Sequence, residues 1–124
     1  MPLPVLGLIL FSISLSAIAQ ILFKFGMSSA AVKQALASGS PIQAALAVFL
    51  SAGVLGGLAL YGIGTVLWLG VLSRTEVSQA YPFVGLGFVL TALIGYLLFG
   101  DALGPLRIAG IVLVIAGIAL ISRS

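Results

Sequence analysis

Ser16, Gln20 and Lys24 stand at i, i+4 and i+8, the spacing that places three side chains in one stripe along a helix. Ser12 and Ser14 accompany them one turn earlier. A second polar group gathers Trp68, Ser73, Arg74, Glu76, Ser78, Gln79 and Tyr81. The chemistry open to these side chains is recognition. Hydroxyls and an amide exchange hydrogen bonds, Lys24 or Arg74 would take a phosphodiester, and Glu76 would take a cation. Ser hydroxyls can bond their own helix, so Gln20 is the most telling member, because an amide in an apolar setting needs partners. Its other reading is structural glue between helices. Arg74 and Glu76 read either as solvated loop charges or as the rim of a polar vestibule. Asp101 reads as an exposed turn residue or an N-cap for the last helix.

Bond-making chemistry lacks its residues. There is no Cys and no His, so disulfides, thiolates, imidazole acid–base work and Cys/His metal centres are excluded. No Ser/His/Asp set and no phosphate-cradling Gly-rich loop occurs, and no cofactor or metal is expected. The net charge of +3 is too sparse and scattered for a nucleic-acid footprint.

The elements that carry these groups follow from composition. Of 124 residues, 62% are hydrophobic and 6% charged. Soluble domains carry roughly 25% charged residues, so neither a water-facing globule nor a disordered chain fits. The fold class expected is an all-α polytopic membrane protein. Charged side chains are absent from 1–23, 34–73, 77–100 and 108–122. A spanning helix needs about 20 apolar residues. Four spans result, at about 4–27, 42–72, 77–99 and 106–121, forming one domain. The second exceeds the bilayer's requirement and should tilt or project. The fourth is minimal, and Arg107 must snorkel. The short turns at 73–76 and 100–105 imply that spans two and three, and three and four, are antiparallel neighbours.

Residues 28–41 form either a short interfacial helix or an extension of the first helix followed by a loop, with a stop at Gly39 and a restart at Pro41. Ala17-Ile-Ala19 has the look of a signal-peptidase site, but no Lys or Arg precedes the apolar run, which favours a retained span. Arg74 and Arg123 flank one side, and Lys33, Arg107 and Lys24 the other. That weak bias leaves orientation open, dual topology included.

Small residues mark packing. Gly53 and Gly57 form a GxxxG pair beside Gly56, and Ala109-Gly110 recurs seven residues on as Ala116-Gly117. The last helix lacks polar groups between Arg107 and Ser122, so its small face reads as a helix contact, within the protomer or across a dimer. Pro82, Gly85 and Gly87 permit a bend in the third span.

Four helices of this size, with Lys24-Phe25 closing the first, Phe99-Gly100 closing the third and small residues along the fourth, resemble the small multidrug resistance proteins of the drug/metabolite transporter superfamily. The drug exporters of that family carry an essential Glu in the middle of the first helix. Counting back from Lys24, that position is Ser16, and no carboxylate occupies the middle of any span, which speaks against proton-coupled cation export. A closer resemblance is to the small subunits of the aminoarabinose-phosphoundecaprenol flippase, used in lipopolysaccharide modification. It is carried by Ser16-x3-Gln20-x3-Lys24, Leu67-Trp68-Leu69-x-Val71-Leu72, and Ala80-Tyr81-Pro82 followed by Leu86-x-Phe88-Val89. The resemblance implies a flippase, or flippase subunit, moving an undecaprenyl-phosphate-linked sugar across a bacterial inner membrane, working as a homodimer or as a heterodimer with a similar small chain. Ser16, Gln20, Lys24, Trp68, Arg74, Glu76 and Tyr81 are its candidate substrate contacts. Two other readings stand beside it. One is an exporter of cations or metabolites with Glu76 as a displaced coupling acid. The other is a non-transporting scaffold subunit.

Overall fold

A computed structural model describes residues 2–124, and all the regular structure in them is helical. Helix α1 runs Leu3–Met27, α2 Ala30–Ala37, α3 Pro41–Phe49, α4 Ala52–Leu72, α5 Val77–Ala80, α6 Val84–Phe99 and α7 Pro105–Ser122. A 3-10 turn, Tyr81–Phe83, joins α5 to α6. Four stretches are long and apolar enough to cross a bilayer: α1, α4, the run Val77–Phe99, and α7.

Local chemistry sets these boundaries. Pro in the first turn starts α1, α3 and α7, where its missing N–H costs nothing. Ser29 Oγ accepts from Val32 N at 3.4 Å and Ser40 Oγ from Gln43 N at 3.4 Å, capping α2 and α3. Gly39 (φ +77°) and Gly100 (φ +68°) turn the chain in left-handed conformations that suit glycine. At the end of α6, the amides of Gly100 and Asp101 both donate to Gly95 O.

Two expectations are corrected here. The long second span is not one helix. The chain breaks at Leu50 and Ser51, leaving a 21-residue membrane helix, α4, and a separate α3. Between α1 and α3 lies a distinct short helix with its own Ser29 cap, rather than an extension of α1. The second correction concerns neighbours. Spans two and three, α4 and α6, make little contact. Both pack on α1, which lies between them, and α7 lies outside α6. The cause is the distribution of glycine. A β-carbon on Gly53 would sit 2.7 Å from Gly26 N, one on Gly57 2.6 Å from the Phe23 ring, and one on Gly64 3.4 Å from Ser12 O. All three seats face α1, so α4 follows α1 along its length, as small residues direct in a bilayer.

Near the 73–76 turn the spans share one core of Val5, Ile9, Ile13, Val71, Ala80, Phe83 and Ile118. Val5, Ile9 and Ile13 are a single i, i+4, i+8 ridge of α1. Gly87 seats Ile13, with its β-carbon position 2.9 Å from Ile13 Cγ2. At the opposite end, the Phe25 and Phe99 rings pack at a tilt of 55° with centroids 4.8 Å apart. The third span is therefore held to α1 at both ends.

Candidate functional site

Because α4 and α6 are kept apart with α1 as the floor, a groove of about 780 Å³ opens between them. Ser12, Ser16 and Gln20 line it from α1, Tyr61, Thr65 and Trp68 from α4, and Tyr81 and Thr91 from the third span. Asp101 closes its far end. From Ser12 to Gln20 the α1 stripe covers about 12 Å, a large part of a bilayer core of roughly 30 Å.

The hydroxyls divide into two kinds. Ser12 Oγ is buried and donates to Gly64 O at 2.8 Å, tying α1 to α4. Thr65 Oγ1 donates to Tyr61 O and Thr91 Oγ1 to Gly87 O, each at 2.8 Å. These bonds stay within their own helices and leave oxygen lone pairs toward the groove. Ser16 Oγ and the Gln20 amide carry no hydrogen bond among the described residues, and Gln20 is exposed. They are free polar groups of the groove, as are the Tyr61 and Tyr81 hydroxyls, the Trp68 indole N–H and the Asp101 carboxylate, which also have no hydrogen bond among the described residues.

Of the seven candidate contacts, Ser16, Gln20, Trp68 and Tyr81 line the groove together, and Lys24, Arg74 and Glu76 do not. The stripe that joins Ser16, Gln20 and Lys24 runs out at the helix end, where Lys24 is solvent-exposed. Arg74 and Glu76 are exposed in the turn, with Glu76 at the N-cap of α5. The three charges sit at the rim as solvated groups. Sequence reasoning missed Tyr61, Thr65, Thr91 and Asp101 as lining groups. Tyr61, Thr65 and Trp68 share one face of α4 at i, i+4 and i+7, a pattern that was legible.

Asp101 is not the cap of α7, since Gly104 holds that place without a side-chain bond. Its carboxylate instead folds back over Gly95, where a β-carbon would come 2.5 Å from Oδ2. Arg107 does not neutralise it. Arg107 Nη1 donates to Ala102 O at 2.8 Å. Among the described residues there is no cluster of three or more His, Cys, Asp or Glu that could hold a metal ion.

The packing glycines also sort themselves. Gly53 and Gly57 are contacts between α4 and α1 within the chain, with Gly26 as an unexpected third member. Gly110 and Gly117 meet nothing within 4 Å, and Ala109 and Ala116 are exposed. The small face of α7 is thus not a contact within the protomer. Pro82 lies in the 3-10 turn, the one irregular stretch of the third span. Gly85 and Gly87 are seats rather than free hinges, since Gly85 lies under Val114 and Ile118 of α7.

Comparison with known proteins adds a family. Residues 3–123 match the EamA-like transporter family. A probable 4-amino-4-deoxy-L-arabinose-phosphoundecaprenol flippase subunit, ArnE, from Pseudomonas aeruginosa is 41% identical over 63 residues, covering 51% of this chain and 55% of the relative. The ArnE of Pseudomonas fluorescens is 43% identical over 68 residues, covering 53% and 60%. The uncharacterised protein y4nH of Sinorhizobium fredii is 33% identical over 109 residues, covering 87% and 86%. The chain thus matches a little over half the length of these flippase subunits. No solved structure matches it.

Proposed function

The chain belongs to the EamA-like transporter family and is a multi-pass protein of the bacterial inner membrane, and from that premise we propose that it moves an undecaprenyl-phosphate-linked sugar between leaflets, as a flippase or as one subunit of one. The observation that carries this reading is the groove. Ser16, Gln20, Tyr61, Thr65, Thr91 and Tyr81 give it an uncharged, hydrogen-bonding wall, and Ser16 and Gln20 have no hydrogen-bond partner among the described residues.

A lipid-linked sugar keeps its chain in the bilayer, so only the headgroup must cross. Each sugar hydroxyl that leaves water needs a replacement partner, because an unmade hydrogen bond in a low-dielectric setting costs several kcal/mol. Ser16 and Gln20 of α1 supply such partners one helical turn apart, so the headgroup can exchange one for the next. Trp68 and Tyr81 flank the entrance near the 73–76 turn, where flat faces can stack on a sugar ring. The groove lies open along one side, with Tyr61, Tyr81 and Phe88 largely exposed. A second chain would close it, in keeping with relatives named as subunits. Binding and release of this kind involve no covalent step, and the chain acts as a transporter rather than an enzyme.

Headgroup translocation in inverted membrane vesicles tests the reading. Gln20→Ala and Tyr81→Ala should each lower the rate about tenfold, the loss of one desolvated hydrogen bond. Undiminished translocation in both variants at normal expression would remove the assignment.

A further inference from the structure

Helix α7 touches the third span unevenly. Near the 73–76 turn the two are in close contact, with Val114 Cγ1 2.9 Å and Ile118 Cδ1 3.2 Å from the β-carbon position of Gly85. Toward the 100–104 loop they separate, and at Gly110 a β-carbon would meet nothing within 4 Å. The result is a wedge-shaped cleft of about 440 Å³, lined by Phe88, Val89 and Ala92 on one wall and Gly110, Ile111 and Val114 on the other. Arg107, Asp101 and Ala102 stand at its wide mouth. This cleft is not separate from the polar groove, because Phe88, Ala92 and Asp101 line both.

We propose that the cleft between α6 and α7 seats the phosphate-proximal part of a polyprenyl chain, with Arg107 holding the phosphate while the attached headgroup lies in the groove. The inference rests on the flippase reading and extends it to a subsite for the chain. Continuity is the first argument. A molecule with its headgroup in the groove continues past Asp101 into an apolar slot, which is the order of parts in a phosphodiester-linked amphiphile. Charge is the second. Arg107 is the one cation among the residues lining either cavity, and its bond to Ala102 O engages one of five donors, leaving the rest of the fork for an anion. The uncapped start of α7 adds the positive end of a helix dipole beside it. Composition is the third. The walls offer no polar side chain between Arg107 and the closed end, so a hydrated solute has nothing to bond there, whereas a hydrocarbon chain does not require it.

Gly110 makes the idea testable, because a larger side chain there enters open space instead of a packed contact. Undecaprenyl phosphate is added to the purified full chain in detergent, and the bound fraction is read by native mass spectrometry. Gly110→Leu and Arg107→Gln should each reduce it about tenfold, and Arg107→Lys should keep most of it. Inorganic phosphate in excess should not displace the lipid, which separates a lipid seat from a bare anion site. Unchanged binding in Gly110→Leu and Arg107→Gln would overturn the proposal. So would loss of a chain–chain dimer in Gly110→Leu with lipid binding intact, since the cleft would then hold a second copy. Gln20→Ala separates the two readings, for it should slow headgroup movement about tenfold and leave undecaprenyl phosphate bound. A chain that binds the lipid in this pattern yet moves no sugar would keep the subsite and lose the flippase function.

Discussion

Gly26 and Gly53 meet backbone to backbone: a β-carbon on Gly53 would lie 2.7 Å from Gly26 N, and one on Gly26 2.8 Å from Val54 N. The atoms nearest Gly53 are all main chain and cannot move aside, and Gly57 is closed by the Phe23 ring together with Ala19 O. Gly53→Ala and Gly57→Ala should therefore destabilise the fold by about 1–3 kcal/mol each, the usual cost of overpacking. Gly62→Ala, with nothing within 4 Å, should not. Thermal unfolding in detergent distinguishes them, and equal Tm values for all three would contradict the α1–α4 contact.

Gly117 supplies the opposite case. Its β-carbon position is empty, so Gly117→Ala should leave Tm unchanged or raise it, through a helix propensity gain of up to about 1 kcal/mol. A fall in Tm matching that of Gly53→Ala would show that the small face of α7 packs inside the protomer.

These two glycine pairs mark how far the sequence could be read. Charge-free stretches and prolines located three of the spans, because desolvation cost and helix initiation are local properties, but they began the second about ten residues early, where Pro41 starts the separate helix α3. The heptad of small pairs in α7 and the GxxxG in α4 carry the same signal, yet one is packed within the chain and the other is not. Which face meets which helix depends on all the helices at once. The same holds for the site. The α1 spacing places Ser16 and Gln20 together along the groove, but its continuation to Lys24 leads out of it. Asp101 is an exposed loop residue, one of its two expected readings, but not the cap of α7, and only the turn at Gly100 brings its carboxylate over Gly95.

Ser12 and Ser16, one helical turn apart, should separate architecture from recognition. Ser12→Ala removes a buried bond between α1 and α4 and should cost about 1 kcal/mol of stability. Translocation by the folded fraction should be little altered. Ser16→Ala removes no hydrogen bond among the described residues, so Tm should hold while headgroup movement falls. Parallel measurement of Tm and of transport per folded molecule checks both, and a reversed pattern would move the recognition role to Ser12.

Asp101 carries the last prediction. A cationic headgroup entering the groove would meet Asp101, the one carboxylate that lines it, and would not meet Glu76, which is exposed in the 73–76 turn. Arg107 gives Nη1 to Ala102 O, so the carboxylate remains available to a ligand. Its exposure lets water screen the attraction, which keeps the effect moderate. Asp101→Asn should lower movement of an amino-sugar headgroup several-fold, up to about tenfold, and change that of its neutral hydroxyl analogue little. Glu76→Gln should change neither. Gly95→Ala tests the geometry independently, since its methyl group would displace Oδ2 without touching the charge. It should lower the amino-to-neutral ratio in the same direction as Asp101→Asn. The ratio, measured in one vesicle preparation with both headgroups, cancels differences in expression. An equal loss for both headgroups in Asp101→Asn would make the residue a structural support of the α6–α7 loop rather than a contact for positive charge.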